Sequence, residues 1–123
     1  MPLKDVCKHS VVCASPNTTV DEIARIMRDK HVGELVIVQE KDRKALGIVT
    51  DRDLVTKVLA PNMNPKAVKV EDIMAKNPTT ARESEGLFEV AKKLEHAGIR
   101  RLPVTDAQGK LTGIISVDDL YEL

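Results

Sequence analysis

Apolar residues recur along the chain at two spacings, one typical of helices and one typical of strands. Two segments have apolar residues at helical spacing, namely Val20, Ile23, Ala24 and Met27 in the first and Leu87, Val90, Ala91 and Leu94 in the second. A short extended segment precedes each of them, at 11–13 and 79–81. Two strand-length segments around a polar turn follow each of them, at 34–39 and 45–50 and then at 101–105 and 111–116.

The ends of the helices can also be placed from the sequence. Thr18 or Thr19 is the predicted N-cap of the first long helix, and Ser84 or Glu85 opens the second. A helical turn is predicted at 4–8 and at 71–75, and a final helix is predicted to begin near 51 and near 117. The same series of elements therefore occurs twice.

The two halves of the chain align with each other residue by residue. A shift of 67 positions matches residues 4–38 with the second half without a gap. After the loss of one residue in a turn, a shift of 66 positions pairs Gly47 with Gly113, Thr50 with Ser116 and Asp53 with Asp119. Agreement in both apolar phase and polar positions indicates an internal duplication.

Each copy is too small to fold by itself. A unit of roughly 55 residues cannot bury the apolar face of its own sheet. We therefore expect two copies packed sheet to sheet about a pseudo-twofold axis, with two equivalent clefts. The predicted fold class is α+β, with the order β-α-β-β-α in each copy. Repeat 1 with its leading helix spans 1–60, a proline-interrupted connector spans 61–70, and repeat 2 spans 71–123.

Composition argues against nucleic acid and membrane partners. Lys plus Arg equals Asp plus Glu at 19 each, so no net charge attracts a polyanion. With no Trp, one Tyr and one Phe, the chain lacks a platform for stacking bases. The apolar runs are too short to span a bilayer, and no signal peptide is evident at the N-terminus. The two cysteines are most simply reduced thiols, and we expect a cytoplasmic protein.

Each predicted strand-to-helix junction carries the same motif. The first reads Gly47-Ile-Val-Thr-Asp-Arg-Asp53, and the second reads Gly113-Ile-Ile-Ser-Val-Asp-Asp119. Because a helix begins directly after the hydroxyl residue, its first backbone N–H groups and that hydroxyl are expected to form a phosphate cradle. The carboxylate three residues later can accept the hydroxyl groups of a ribose. The same pair is equally suited to capping the helix, so a purely structural role stays open.

These motifs resemble the G-h-h-T/S-x-x-D signature of CBS domains. Ser15-Pro-Asn-Thr-Thr-Val20 and Ile99-Arg-Arg-Leu-Pro-Val104 are similar to further features of that family. The resemblance covers essentially the whole chain, in the manner of the small tandem CBS pairs (Bateman modules) that occur without a fused enzyme or channel. It implies a regulatory or signal-transduction module that binds an adenosine-containing nucleotide: AMP, ADP, ATP, NAD or S-adenosylmethionine.

The resemblance also implies roles for individual residues. The ribose and phosphate contacts fall on Thr50, Asp53, Ser116, Asp119, Arg100, Arg101 and Arg52. The backbone contacts to adenine fall on Val12 and Thr79. The first copy departs from the pattern, because Gly33, Glu34 and Val36 replace the arginine pair and the proline. Since a carboxylate at position 34 would repel phosphate, we expect the two sites to differ in affinity.

Metal binding and catalysis receive little support. Cys7, His9 and Cys13, joined by His31 or His96, supply zinc-type ligands, but their spacing fits no compact zinc module, so we interpret the cysteines as buried thiols. The sequence contains no nucleophile triad, phosphate-binding loop or dinucleotide fingerprint. We expect no enzyme, no metal and no catalytic cofactor.

Two functions therefore remain. The first is a sensor that binds an adenine nucleotide between its repeats and acts on an unidentified regulated protein. The alternative is a dimerisation or interaction scaffold with vestigial ligand clefts. In both cases we expect a homodimer, because the final helices carry apolar residues: Leu54, Val55, Val58 and Leu59 in the first copy and Leu120 and Leu123 in the second.

Overall fold

The computed structural model describes residues 3–5, 7 and 9–121. The chain forms two compact units. The first-repeat unit consists of Val12–Lys41 and Leu46–Asn77, and the second-repeat unit consists of Met1–Val11, Asp42–Ala45 and Pro78–Leu123. Each unit combines helices with a β-sheet, which confirms the predicted α+β class.

The first-repeat unit contains a four-stranded sheet in the order β1-β2-β3-β4. Its elements are β1 (Cys13–Ala14), α1 (Val20–Lys30), β2 (Glu34–Val38), β3 (Ala45–Thr50), α2 (Asp51–Leu54), a π-helical continuation (Val55–Leu59), a 3₁₀ turn (Val70–Asp72) and β4 (Ala75–Lys76). Strand β1 runs parallel to β2, and β4 runs antiparallel to β3. With two residues, β4 is too short to leave an alternating pattern in the sequence.

The second-repeat unit contains a three-stranded sheet in the order β5-β6-β7. Its elements are a 3₁₀ turn (Leu3–Asp5), β5 (Ala81–Arg82), α3 (Leu87–Ala97), β6 (Arg101–Thr105), β7 (Leu111–Ser116) and α4 (Val117–Tyr121). Strand β5 runs parallel to β6, and β6 runs antiparallel to β7. The two long strands have the predicted bounds, whereas β5 begins two residues after the predicted start at 79.

One of the two predicted helix starts is confirmed and the other is wrong. Thr19 is the N-cap of α1, but Gly86 is the N-cap of α3. Glu85 instead accepts hydrogen bonds from Lys93 Nζ (2.9 Å) and from the backbone N–H of Arg82 (3.1 Å). Burial raises the pKa of Glu85, but the Lys93 and Arg82 bonds outweigh burial, so its pKa lies below the usual value.

Each unit takes part of its core from the segment that leads into the other repeat. Leu3 and Cys7 are buried in the second-repeat unit, and Val70 and Ile73 are buried in the first-repeat unit. This packing explains Gly47: a Cβ there would lie 2.5 Å from the sulfur of Met74 and 2.8 Å from the carbonyl oxygen of Ala75. The glycine of the motif therefore provides room for the leading segment against β3.

Of the helices formed by residues 3–5, 7 and 9–121, none has the length and apolar character needed to cross a membrane.

Candidate functional site

Both strand-to-helix junctions form the same reciprocal pair of hydrogen bonds. Thr50 N–H donates to Asp53 Oδ2 (2.9 Å), and Asp53 N–H donates to Thr50 Oγ1 (3.2 Å). Ser116 N–H donates to Asp119 Oδ2 (2.9 Å), and Asp119 N–H donates to Ser116 Oγ (3.2 Å). These are capping boxes, so the structural role of the motif is present in both repeats. A carboxylate has about four acceptor positions, so capping does not exhaust its capacity for a ligand.

The expected phosphate cradle is closed in the first repeat. The first three N–H groups of α2 all bond within the protein: Asp51 N–H to Gly33 O (2.9 Å), Arg52 N–H to Asp51 Oδ1 (2.9 Å) and Asp53 N–H to Thr50 Oγ1. The prediction of open N–H groups is therefore wrong there. It failed because the sequence does not show that Gly33, directly before the start of β2, lies against the start of the helix. The second repeat also closes two of its three N–H groups, because Val117 N–H donates to Arg100 O (2.7 Å) and Asp119 N–H donates to Ser116 Oγ (3.2 Å).

The two carboxylates have different surroundings. Asp53 Oδ1 lies 3.2 Å from Lys57 Nζ, which also donates to the carbonyl oxygen of Ile73 (3.1 Å). Asp119 is buried, at 7% exposure, and lies close enough to Cys7 to influence its thiol. Burial is the main reason why the pKa of Cys7 is raised, and the negative charges of Glu83 and Asp119 add to the effect. A ligand that uses Asp53 must compete with an internal cation.

The predicted phosphate-binding arginines are all exposed. Arg101 is the cross-strand partner of Ser116 in the β6–β7 ladder, which places a cation beside the hydroxyl of the second motif. Arg100 accepts the N–H of Val117 at its carbonyl (2.7 Å), and its Nη2 lies 3.4 Å from Asp118 Oδ1. The second-repeat unit therefore brings two of the predicted cations to its strand-to-helix junction.

Steric conditions differ at the matching positions of the first repeat. A Cβ on Gly33 would lie 3.0 Å from Asp51 Oδ2, so a side chain at the counterpart of Arg100 requires a small shift of the exposed Asp51 side chain. The counterpart of Arg101 is Glu34, at the start of β2. The only predicted cation of the first motif is Arg52, which is exposed on α2.

The backbone at the two predicted adenine positions also differs. Val36 N–H donates to the carbonyl oxygen of Val12 (3.2 Å), which joins the first extended segment to β2. The residue equivalent to Val36 is Pro103, which has no N–H to donate to the carbonyl of Thr79. This explains the late start of β5: pairing begins at Ala81, opposite Val104, whereas β1 pairs from Cys13.

The proposed metal ligands do not converge within the part of the chain that the structure describes. Cys7 Sγ lies 3.9 Å from His9 Nε2, and the ring nitrogens of His9 face the carbonyl oxygens of Thr112 (3.1 Å) and Lys4 (3.0 Å). Among residues 3–5, 7 and 9–121, no group of three or more His, Cys, Asp or Glu side chains is arranged to hold a metal ion.

A family model for the CBS domain matches the chain twice, at residues 3–60 and 70–123. The chain belongs to the CBS domain family. Uncharacterized protein MK0525 of Methanopyrus kandleri is 41% identical over 119 residues, which cover 97% of this chain and 60% of that protein. Uncharacterized protein YlbB of Bacillus subtilis is 35% identical, over 96% of this chain and 78% of its own length.

Solved structures of CBS proteins share the fold. The CBS domain pair of protein MJ0100, in complex with 5′-methylthioadenosine and S-adenosyl-L-methionine, has a TM-score of 0.84 and 31% identity, and the match covers 99% of this chain and 94% of that one. A hexameric CBS-CP12 protein from bloom-forming cyanobacteria has a TM-score of 0.83 and 31% identity, over 98% of this chain and 66% of that one. CBS neighbours thus include a protein that binds adenosine-type ligands and one that forms oligomers.

The enzymes among the CBS relatives match over only a small part of their length. The homoserine O-acetyltransferase of Methanohalobium evestigatum is 30% identical to this chain, over 98% of the chain but 24% of the enzyme. The inosine-5′-monophosphate dehydrogenase of Methanocaldococcus jannaschii is matched over 22% of its length. The similarity therefore concerns their CBS portions.

Sequence reasoning identified the motif residues but missed two contacts at the junctions. The first is Lys57, which lies four residues after Asp53 on the same helix face, and this acid–base spacing was a readable signal. The second is the donor that Val36 supplies and Pro103 lacks. The sequence showed the proline difference, but its effect becomes visible only with the β1–β2 register.

Proposed function

We propose that this chain is a regulatory module that binds an adenosine-containing ligand, and that the second-repeat unit carries its stronger site. Two observations together support this proposal. Arg101 lies beside Ser116, and the carbonyl of Thr79 receives no hydrogen bond from Pro103, which has no N–H. The first feature favours an anionic group, and the second leaves an acceptor for an exocyclic amine such as that of adenine.

The ribose contact is assigned to Asp119. Its Oδ2 is held by the N–H of Ser116, and its side chain is buried, so its orientation is fixed before a ligand arrives. Preorganisation of this kind reduces the entropy lost on binding. The phosphate contact is assigned to Arg100, Arg101 and Ser116, and the adenine contact is assigned to the backbone of Thr79.

The first-repeat unit is the weaker site in this proposal. Its equivalent residues are Val12, Thr50, Asp53 and Arg52. The carbonyl of Val12 already accepts from Val36, and Asp53 already pairs with Lys57. Glu34 stands where Arg101 favours an anion in the other repeat. The first two contacts occupy the groups proposed for adenine and ribose, and Glu34 repels a phosphate.

The ligand class is supported by the MJ0100 pair, which binds 5′-methylthioadenosine and S-adenosyl-L-methionine. The test is isothermal titration with AMP, ADP, ATP, NAD, S-adenosylmethionine and 5′-methylthioadenosine. We expect at least one of these ligands to bind, and we expect one site per chain to have a higher affinity than the other. Asp119→Asn keeps the size and much of the capping ability but removes the charge, so affinity at that site should fall roughly ten- to a hundredfold.

The matched control is Asp53→Asn, which makes the same change in the other capping box. It should leave the stronger site unaltered. If Asp119→Asn melts at a lower temperature but binds normally, the carboxylate is only a helix cap. If none of the six compounds binds at millimolar concentration, the sensor function is refuted and the scaffold function is favoured.

A dimerisation scaffold is the second candidate, and exposed apolar residues favour it. Val55 and Leu59 on the π-helical stretch are 54% and 67% exposed, and Tyr121 on α4 is 84% exposed. Three predicted interface residues are corrected: Val58 is buried in the core, at 1% exposure, and Leu54 and Leu120 are partly buried against the cores of their units. Leu123 lies outside the described residues.

We propose that these exposed residues join two copies in a homodimer in the cytoplasm, where the buried Cys7 stays reduced. Each copy would then present its ligand site to a regulated protein, while the module itself performs no chemistry. Light scattering at tens-of-micromolar concentration tests the assembly, and Leu59→Glu should shift a dimer toward monomer. A monomeric mass for the parent chain would refute the dimer.

A further inference from the structure

Three exposed cationic residues are neighbours along the backbone where the turn before β3 contacts the start of β7. Leu111 N–H donates to the carbonyl oxygen of Arg43 (3.0 Å), and Lys44 pairs with Lys110 in an isolated antiparallel bridge. Arg43, Lys44 and Lys110 are all exposed. We call these three residues the cationic turn cluster.

Two features of this cluster work against the stability of the fold. Lys44 and Lys110 lie directly opposite each other, and like charges in that arrangement repel. Arg43 has φ +58°, in the left-handed region, whereas the aligned turn residue of the second repeat is Gly109, with φ +84°. A side chain in that region is unfavourable, and the second repeat avoids it by using glycine. The chain thus keeps a third cation where a glycine would be more stable.

Neighbouring carboxylates do not form side-chain ion pairs with the cluster. Asp42 Oδ1 accepts the backbone N–H of Lys44 (3.1 Å), and Asp106 Oδ1 accepts the backbone N–H groups of Gln108 (2.9 Å) and Lys110 (3.0 Å). Both acids cap turns. Among the ion pairs formed within residues 3–5, 7 and 9–121, none involves a side chain of the cluster.

We propose that the cationic turn cluster is a docking surface for an acidic segment of a partner polypeptide. A bound carboxylate between Lys44 and Lys110 would remove their repulsion, and Arg43 can hold a second carboxylate in a bidentate pair. An extended acidic segment repeats its side chains on one side about every 7 Å, so successive carboxylates on that side can reach different cations of the cluster. A role of Arg43 in binding then explains why the chain keeps an arginine in this unfavourable left-handed conformation.

Charge and composition favour a polypeptide over nucleic acid. Three cations can neutralise only a few phosphates, and tight duplex binding at physiological salt uses about 6–10 phosphate contacts. The two aromatic residues, Phe88 and Tyr121, lie on α3 and α4 and are not part of the cluster. This surface involves none of the residues assigned to the nucleotide, so it is tested independently of that function.

The test measures binding of a fluorescent hexaglutamate peptide, at low and at physiological salt, to the parent chain and to three variants. Lys44→Glu creates an opposite-charge pair with Lys110, and Arg43→Gly places the residue of the second repeat in the left-handed turn. Both changes should raise the melting temperature while lowering affinity, on the order of tenfold for Lys44→Glu at low salt. Loss of folding therefore cannot explain loss of binding.

Lys66→Glu is the matched control, because it makes the same change of net charge at another exposed lysine. It should leave hexaglutamate binding unchanged. Equal losses for Lys66→Glu and Lys44→Glu, or no preference over hexaglutamine, would overturn the proposal. Lower melting temperatures for Lys44→Glu and Arg43→Gly would remove its physical basis. If a short duplex DNA binds the cluster more tightly than hexaglutamate at the same salt, the partner is nucleic acid and the proposal is wrong.

Discussion

Replacing Pro103 with valine tests whether the carbonyl of Thr79 contacts the ligand. Pro103 is buried and has no N–H, whereas the equivalent Val36 is buried and donates to the carbonyl of Val12 at 3.2 Å. Valine at position 103 therefore introduces a donor directed at Thr79, with a side chain that the other repeat already accommodates. The pairing of the extended segment with β6 should then begin one residue earlier, at Thr80 opposite residue 103.

The expected effects on stability and on affinity differ in size. The new hydrogen bond contributes about 0.5–1.5 kcal/mol to the free energy of unfolding. Loss of proline increases the freedom of the unfolded chain, which offsets about 0.4–1 kcal/mol of that gain. Stability should therefore change little. The ligand loses one hydrogen bond of the same class, so its affinity should fall about two- to tenfold.

Isothermal titration with the tightest adenosine ligand measures the affinity, and hydrogen exchange at residue 103 reports the new bond. Pro103→Ala restores the same N–H with a smaller side chain and should weaken binding by the same factor. A protected amide at position 103 together with unchanged affinity would refute the role of the Thr79 carbonyl. Weakening by valine alone would assign the effect to side-chain size instead.

Three further predictions concern stability. Lys57→Met removes the ion pair with Asp53; because Lys57 is 47% exposed, the free energy of unfolding in urea should fall by less than about 1 kcal/mol. The lowered pKa of Glu85 means that its bond with Lys93 stabilises the fold above the unfolded pKa near 4.5 and is lost as pH falls through the folded value. Glu85→Gln should therefore melt lower than the parent at neutral pH, and the difference should vanish in acid; a constant difference would contradict this reasoning. Gly47→Ala should destabilise by about 1–3 kcal/mol in urea, because its Cβ meets the neighbouring backbone and sulfur, and an unchanged midpoint would show that the leading segment is not tightly packed.

The apolar periodicity was sufficient to predict the elements that carry the core. Val20, Ile23 and Met27 face inward as expected, and the bounds of β6 and β7 match their predicted ranges. These features depend on local pattern and on burial of one face, which a sequence displays directly. The internal duplication also predicted two equivalent strand-to-helix junctions, because aligned residues in the two repeats are expected to adopt the same local structure.

The features that sequence reasoning missed depend on contacts between segments distant in the chain. To predict that the first N–H groups of α2 already have partners, one must know that Gly33 lies against Asp51, and the sequence does not show this contact. Val58 faces inward together with Leu54, four residues earlier, because both pack against the core of the first-repeat unit, and the sequence alone did not show which apolar face of the helix that core covers. Gly86 replaced the predicted cap because Glu85 is bound to Lys93. The closed N–H groups and the helix cap were decided by which groups compete for a hydrogen-bond partner. The intrinsic propensity of a single residue did not decide them.

The differences between the two junctions act in a common direction. In the first repeat, Val36 satisfies a neighbouring carbonyl and Lys57 satisfies a carboxylate, so the polar groups of the junction find partners inside the chain. In the second repeat, the residue equivalent to Val36 is Pro103, which has no N–H to donate. Both residues are buried, so proline in place of valine brings no gain in packing. Because Thr79 is exposed, its carbonyl stays open to solvent or to a ligand, and the entropy effect of proline offsets the missing hydrogen bond. The open Thr79 carbonyl can accept a hydrogen bond from a ligand, whereas the carbonyl of Val12 already has a partner, and this difference is why we assign the stronger ligand site to the second repeat.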